Sequence, residues 1–140
     1  MPPGYSVCMS RSEVRLSQVV TTTEHDAQLL ELREVDGDPP RTLTMMIGRD
    51  VAKVISARVR QVETPRPLTH DLAQTILQTL GGAVEEVEIR DLQEGTYFAT
   101  LRLRQGEHVH ELDARPSDAV ALAFGAAAPI YVHDRVWAAQ

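Results

Sequence analysis

Two short stretches of this chain combine residue types that handle phosphate and protons. Asp113-Ala114-Arg115-Pro116-Ser117-Asp118-Ala119 sets two carboxylates and a guanidinium between a strand and the start of a helix. A helix start also carries unpaired backbone N–H groups and the positive end of the dipole. Asp113 and Asp118 are spaced so that both can face one hard cation, and Arg115 suits a phosphate. A purely structural reading is equally available: Asp118 is stabilised by the dipole, while Asp113 pairs with Arg115 or caps the turn. Arg66-Pro67-Leu68-Thr69-His70-Asp71 has the same character. His70 carries an imidazole, a side chain suited to general acid or base work near neutral pH. Arg66 can clamp phosphate. The structural alternative has Thr69 capping the helix, Asp71 favouring the dipole and His70 simply exposed.

Other candidates are weaker. His108 and His110 share a strand face, a spacing that can hold zinc, but no cysteine or obvious third ligand supports it. Trp137 reads as a packing residue. No Walker phosphate loop, dinucleotide-binding glycine pattern, Cys-x-x-Cys pair or Gly-x-Ser-x-Gly elbow occurs, which argues against an organic cofactor.

These segments need a scaffold, and 140 residues with 43% hydrophobic content suffice for one domain. The net charge of −6 speaks against non-specific tracking of a phosphate backbone. The basic residues are nearly all arginine, with Lys53 the only lysine. Cys8 stands alone, so no internal disulfide forms, which fits a reducing cytoplasm. No secretory signal is evident, and the longest apolar stretch, 119–132, is too short and too interrupted to span a bilayer, so no membrane association is expected.

Residues 1–11 read as a flexible leader and 12–137 as a single domain. Strands are expected over 14–20, 27–35 and 43–47, the last two joined as a hairpin through Asp36-Gly37-Asp38-Pro39-Pro40. Val51, Val54, Ile55 and Val62 recur at helical spacing. After Pro65-Arg66-Pro67, Thr69 is placed to cap a second helix with Leu72, Ala73, Ile76, Leu77 and Leu80 inward and Gly81-Gly82 at its stop. Strands follow over 84–89, 97–103 and 108–112. A third helix is expected over 117–124, ended by Gly125, and a last strand over 130–132. The fold class is α+β, a mixed and mainly antiparallel sheet with about three helices. Asp50 and Asp118 both fall in a first helical turn after a strand, which suggests two βββα-like halves.

At these same residues the chain resembles the bifunctional nuclease (BFN) domain family. The resemblance runs from about Val14 to Trp137. It is carried by the 66–71 and 113–119 segments, by Asp91-Leu92 through Gly95-Thr96-Tyr97-Phe98-Ala99, and by Ala128-Pro129-Ile130-Tyr131-Val132. It implies a compact α+β domain and nuclease activity on RNA and DNA. The chain also departs from the family. Val51-Ala52 stands where relatives commonly show glutamate and alanine, Met46 takes the place of a family tryptophan, and His110 that of an aliphatic residue.

The leading expectation is therefore hydrolysis of RNA or DNA phosphodiesters. Asp113 and Asp118 would hold a divalent ion (Mg or Mn) or orient water, Arg115 and Arg66 would clamp phosphate with Thr69 and Ser117 beside them, and His70 would transfer a proton. The competing expectation is a non-catalytic anion-, nucleotide- or protein-binding module of the same fold. An exposed strand edge makes a homo-oligomer plausible.

Overall fold

Alternation of apolar and polar side chains builds the sheet. In β3 (Thr42–Gly48), Leu43, Met45 and Ile47 are buried while Thr42, Thr44 and Met46 face outward. The structure, a computed structural model, describes residues 10–21 and 27–140. Residues 1–9 of the expected leader lie outside the described residues, and Arg11 already opens β1 (Arg11–Val20). The order continues with β2 (Ala27–Glu34), β3, α1 (Arg49–Arg60), α2 (Thr69–Thr79), β4 (Gly82–Gln93), β5 (Thr96–Gln105), β6 (His108–Ala114), α3 (Pro116–Ala126), β7 (Ile130–His133) and α4 (Asp134–Ala139).

The strands form one seven-stranded sheet in the order β3-β2-β1-β7-β4-β5-β6. Every pairing is antiparallel except the parallel β4–β7 pair. This is the mixed α+β arrangement expected, and it contains two meanders, β1-β2-β3 and β4-β5-β6, each followed in the sheet plan by a helix or helices. The sheet curls strongly. The Tyr97 hydroxyl on β5 donates to the Thr44 carbonyl on β3 at 3.3 Å, although the strand order sets β3 and β5 far apart. In a flat sheet five strand spacings would separate them by about 24 Å, far beyond the reach of a tyrosine side chain.

The helix α3 is buried nearly all round: Pro116, Ser117, Ala119, Val120, Ala121 and Ala123 are all buried. A helix apolar on every side belongs inside, and small residues let its neighbours approach closely. On α1, Val51, Ala52, Val54 and Ile55 face the core. By contrast, α2 lies at the rim and has no fully buried residue. Leu68 and Leu77 pack on the core, but Leu72, Ile76 and Leu80, expected inward, stay exposed. Ala73 is exposed as well, so Leu77 alone of the five residues expected inward is half-covered; the covered positions of α2 are His70, Asp71, Gln74 and Leu77.

Three local details also differ from expectation. Thr69 is the first residue of α2 rather than its cap; Leu68 is the N-cap, and its backbone N–H donates to Asp71 Oδ2 at 2.9 Å. Gly125 lies inside α3, which continues to Ala126 and ends on left-handed Ala127. A Cβ on Gly125 would collide with the Gln74 and Arg58 side-chain ends, so this glycine serves close approach and not termination. A fourth helix, α4, packs Val136 into the core and sets Trp137 under the Arg41 guanidinium, 4.5 Å from the ring centroid.

The face of the sheet opposite the core is laced with charge. Arg11 pairs with Glu86 and Glu88, and Arg102 reaches Glu86 at 2.9 Å and Glu111 at 2.8 Å. Much of the arginine content is thus committed to holding strands together. No helix among the described residues is long and apolar enough to cross a membrane.

Candidate functional site

Chain direction brings the two polar segments to one place. β6 ends at Ala114, Arg115 is the extended N-cap residue, and Pro116 opens α3 with its φ already set for a helix. Asp118 therefore lies in the first turn, where the dipole favours its negative charge. Pro65 and Pro67 separate α1 from α2 and return the chain so that α2 starts beside α3.

The contact that results joins His70 Nε2 to Asp118 Oδ1 at 2.8 Å. The second carboxylate oxygen, Oδ2, accepts from Arg115 Nε at 2.8 Å. Burial opposes the charged form of Asp118, but the hydrogen bonds from Arg115 and then His70 outweigh it and hold the carboxyl below its ordinary value. His70 Nδ1 is buried and has no hydrogen-bond partner among the described residues. The imidazole is therefore tied to the rest of the site through Nε2 alone. The Arg115 side chain bonds only Asp118 among the described residues, which leaves its terminal Nη groups in solvent on a side chain 74% exposed.

A second set of contacts clamps the helices behind this pair. Asp71 accepts from the Leu68 N–H and from Arg58 Nη2 at 3.0 Å, and these two bonds, in that order, lower its carboxyl. Arg58 Nη1 donates to the Ala121 carbonyl of α3. One guanidinium on α1 thus touches both α2 and α3. Sequence reasoning did not single out Arg58, although a signal existed: it falls on the same helical face as Val51 and Ile55, an inward place for a charge.

The remaining candidates have other surroundings. Asp113 accepts from Arg90 Nη2 at 2.7 Å, and Arg90 also donates to Thr100 Oγ1 at 3.0 Å. Asp113 is thus bonded across the sheet to β4, while Asp118 is bonded to α2. The Arg66 carbonyl accepts from Thr64 Oγ1 at 2.6 Å, and its side chain bonds no described residue. Thr69 is exposed at the start of α2. Ser117 is buried. The His108 and His110 rings lie 6.5 Å apart, and His110 Nε2 sits 3.3 Å from Gln105 Oε1. Val51 points into the core, so its position offers no carboxylate.

Among the described residues no group of three histidine, cysteine, aspartate or glutamate side chains converges as a metal site. Asp118 has one oxygen on a guanidinium and the other on an imidazole, a donor set that does not fit a resident divalent ion. Beside Arg115 and Ser117 a cleft of about 430 Å³ opens between the end of β3, the β4–β5 turn and the start of α3. The turn is tight because Glu94 and Gly95 both adopt positive φ, 50° and 79°.

An α+β domain with a histidine–aspartate pair at the facing starts of two helices, and an arginine beside it, defines the class. The sequence model of the bifunctional nuclease domain matches residues 30–140, and the chain belongs to that family. It is 42% identical over 126 residues to an uncharacterized protein of Mycobacterium tuberculosis (strain ATCC 25618 / H37Rv), covering 90% of this chain and 74% of that protein. It is 25% identical over 139 residues to bifunctional nuclease 1 of Oryza sativa subsp. japonica, covering 97% of this chain. A match to bifunctional nuclease 2 of the same plant runs at 32% identity over 106 residues, 73% of this chain. The chain spans only 41% and 32% of the lengths of these two rice proteins.

Proposed function

We propose that the chain hydrolyses phosphodiester bonds in RNA or DNA, with His70, Asp118 and Arg115 as the working group. The observation that carries this reading is the shared Asp118 carboxylate, bonded at once to an imidazole and to a half-free guanidinium. Arg115 and the N–H groups opening α3 bind the phosphate and stabilise the charge that grows on it during attack. Asp118 orients both partners, and the Asp118–His70 contact takes up or returns the proton that moves between water and leaving group. Arg66 and Thr69, exposed at the start of α2, extend the phosphate contacts, with Ser117 beside Arg115. Asp113 serves at a distance through Arg90. A divalent ion such as Mg or Mn, if recruited with the substrate, would have to share Asp118 with Arg115.

The test is cleavage of labelled single-stranded RNA and DNA with Mg²⁺, Mn²⁺ or EDTA, with an Asp118→Ala protein purified alongside. Cleavage by wild type and not by the variant supports the assignment. Equal cleavage by both sinks it.

A second reading, a non-catalytic anion-binding module, is favoured by one observation: both Asp118 oxygens are already engaged, and His70 Nδ1 is inaccessible. Phosphate or nucleotide binding without turnover by the folded protein would establish it. A cytoplasmic homo-oligomer joined through β6 belongs to the same proposal, because Val109 and Leu112 stay exposed on that edge strand. Sedimentation of the purified chain as a monomer would remove that part.

A further inference from the structure

We propose that the cleft between the end of β3, the β4–β5 turn and the start of α3 holds one unpaired nucleotide of a single-stranded nucleic acid. This rests on the phosphodiester reading of the neighbouring site and names the form of its substrate. The phosphate lies on Arg115 and Ser117, and the base lies against Met46.

The two walls differ in chemistry. One carries Arg115, whose Nη groups bond no described residue, and Ser117, which is only 8% exposed yet makes no hydrogen bond to any described residue. The Ser117 hydroxyl lines the cleft and bonds no described residue, so it is free to donate to a phosphate oxygen there. The helix N-terminus at the same wall adds to the attraction. The opposite wall carries Met46, which is 72% exposed although its neighbours Met45 and Ile47 are buried. A flexible, polarizable thioether suits contact with a flat aromatic ring. Tyr97 closes the far side, fixed by its hydroxyl on the Thr44 carbonyl.

Size and access agree with a nucleotide. A volume of about 430 Å³ lies in the range of small-molecule sites. At Gly48 and Gly95, which border the cleft, no atom lies within 4 Å of where a Cβ would stand. The mouth is therefore open at both glycines.

Charge selects the single strand over the duplex. The chain carries −6 overall, and Arg11, Arg41, Arg58, Arg90, Arg102 and Arg104 are all paired with carboxylates. The net negative charge weakens affinity summed over many backbone phosphates. The cleft offers instead one phosphate end and one apolar end. A duplex keeps its bases stacked and paired, whereas an unpaired base can turn into such a recess.

The test is fluorescence anisotropy in EDTA with a short fluorescein-labelled oligothymidylate, against the same strand annealed to its complement. The single strand should bind at least about tenfold tighter than the duplex, and Met46→Ala should weaken it about tenfold. Arg115→Gln should weaken it further, and inorganic phosphate should compete. Met46 is a surface residue, so its substitution leaves the fold intact. Equal affinity for duplex, or no effect of Met46→Ala, overturns the proposal. Displacement of the strand by an extended peptide and not by phosphate also overturns it, since that result assigns the cleft to pairing along β3. Single-strand binding that depends on Met46, in a protein that cleaves nothing, upholds the cleft and removes the nuclease reading. Cleavage that is lost in Asp118→Ala, together with single-strand binding left unchanged by Met46→Ala, does the reverse.

Discussion

His70 and Asp118, 48 positions apart in the chain, meet through Nε2 and Oδ1 at 2.8 Å. The contact ties the first turn of α2 to the first turn of α3, so it is at once a brace between helices and a route for a proton. If the pair acts as one unit, His70→Asn and Asp118→Asn should each lower cleavage by about 10²–10⁴-fold, and the double variant should lose no more than the worse single. Additive losses in single-turnover assays would show that the two residues act separately.

Glu34 shows the strongest carboxylate shift, from its ordinary 4.5 to about 2. The hydrogen bond from the Arg41 side chain is the main cause and outweighs burial, with Arg41 Nη2 at 2.8 Å and the Arg41 backbone N–H also at 2.8 Å. Because the folded value lies below the unfolded one, the stabilisation is fully present above the ordinary value. It fades as pH falls from about 4.5 toward about 2. Glu34→Gln should lower stability at neutral pH by roughly 2–3 kcal/mol, the lower end favoured because Arg41 is half in solvent. Urea midpoints at neutral pH and at pH 3 check this: the gap between wild type and variant should shrink in acid.

Arg58 joins three helices through Asp71 and the Ala121 carbonyl. Arg58→Leu leaves Asp71 with its Leu68 N–H bond alone and an α3 carbonyl without its partner. A loss of about 2 kcal/mol is expected, since Asp71 retains some access to water. Urea unfolding with an unchanged m-value should show it.

Gly125→Ala should have opposite signs in two backgrounds. In the wild type the new methyl meets Gln74 Oε1, the end of a side chain that bonds no described residue and can turn away, and the Arg58 guanidinium, which is held in place by its bonds, so stability should fall by about 1 kcal/mol. With Arg58→Leu already present, the better helix propensity of alanine should emerge and stability should rise by several tenths of a kcal/mol. A double-mutant cycle measures the difference, and equal effects in both backgrounds would refute the close-approach role.

Strand alternation in β3 and β5, and the strand-to-helix joins before α1 and α3, were legible in the sequence because they depend on neighbours two to four residues away. The residues of the candidate site were legible as types: His70, Arg115 and Asp118 sit where a proline or a cap announces a helix start. Asp113 was legible as a carboxylate but not as the partner of Arg90. That pairing depends on the register of β4, β5 and β6, and Arg90 lies at the irregularity between Ile89 and Asp91. Arg58 carried a signal in its inward helical phase, yet phase alone does not say which carboxylate a charge will find.

The sequence by itself determined the strands, the presence of three of the four helices, the α+β class and the chemical types at two polar segments, all through short-range periodicity and backbone preference. Only the tertiary structure decided that Leu72, Ile76 and Leu80 remain outside, that the sheet curls until Tyr97 reaches Thr44, and that Asp118 faces His70 and not Asp113. Those outcomes follow from how the elements share a limited core. A helix repeats its apolar residues at the same spacing on a covered face and an uncovered one, and the curl of the sheet chooses between them.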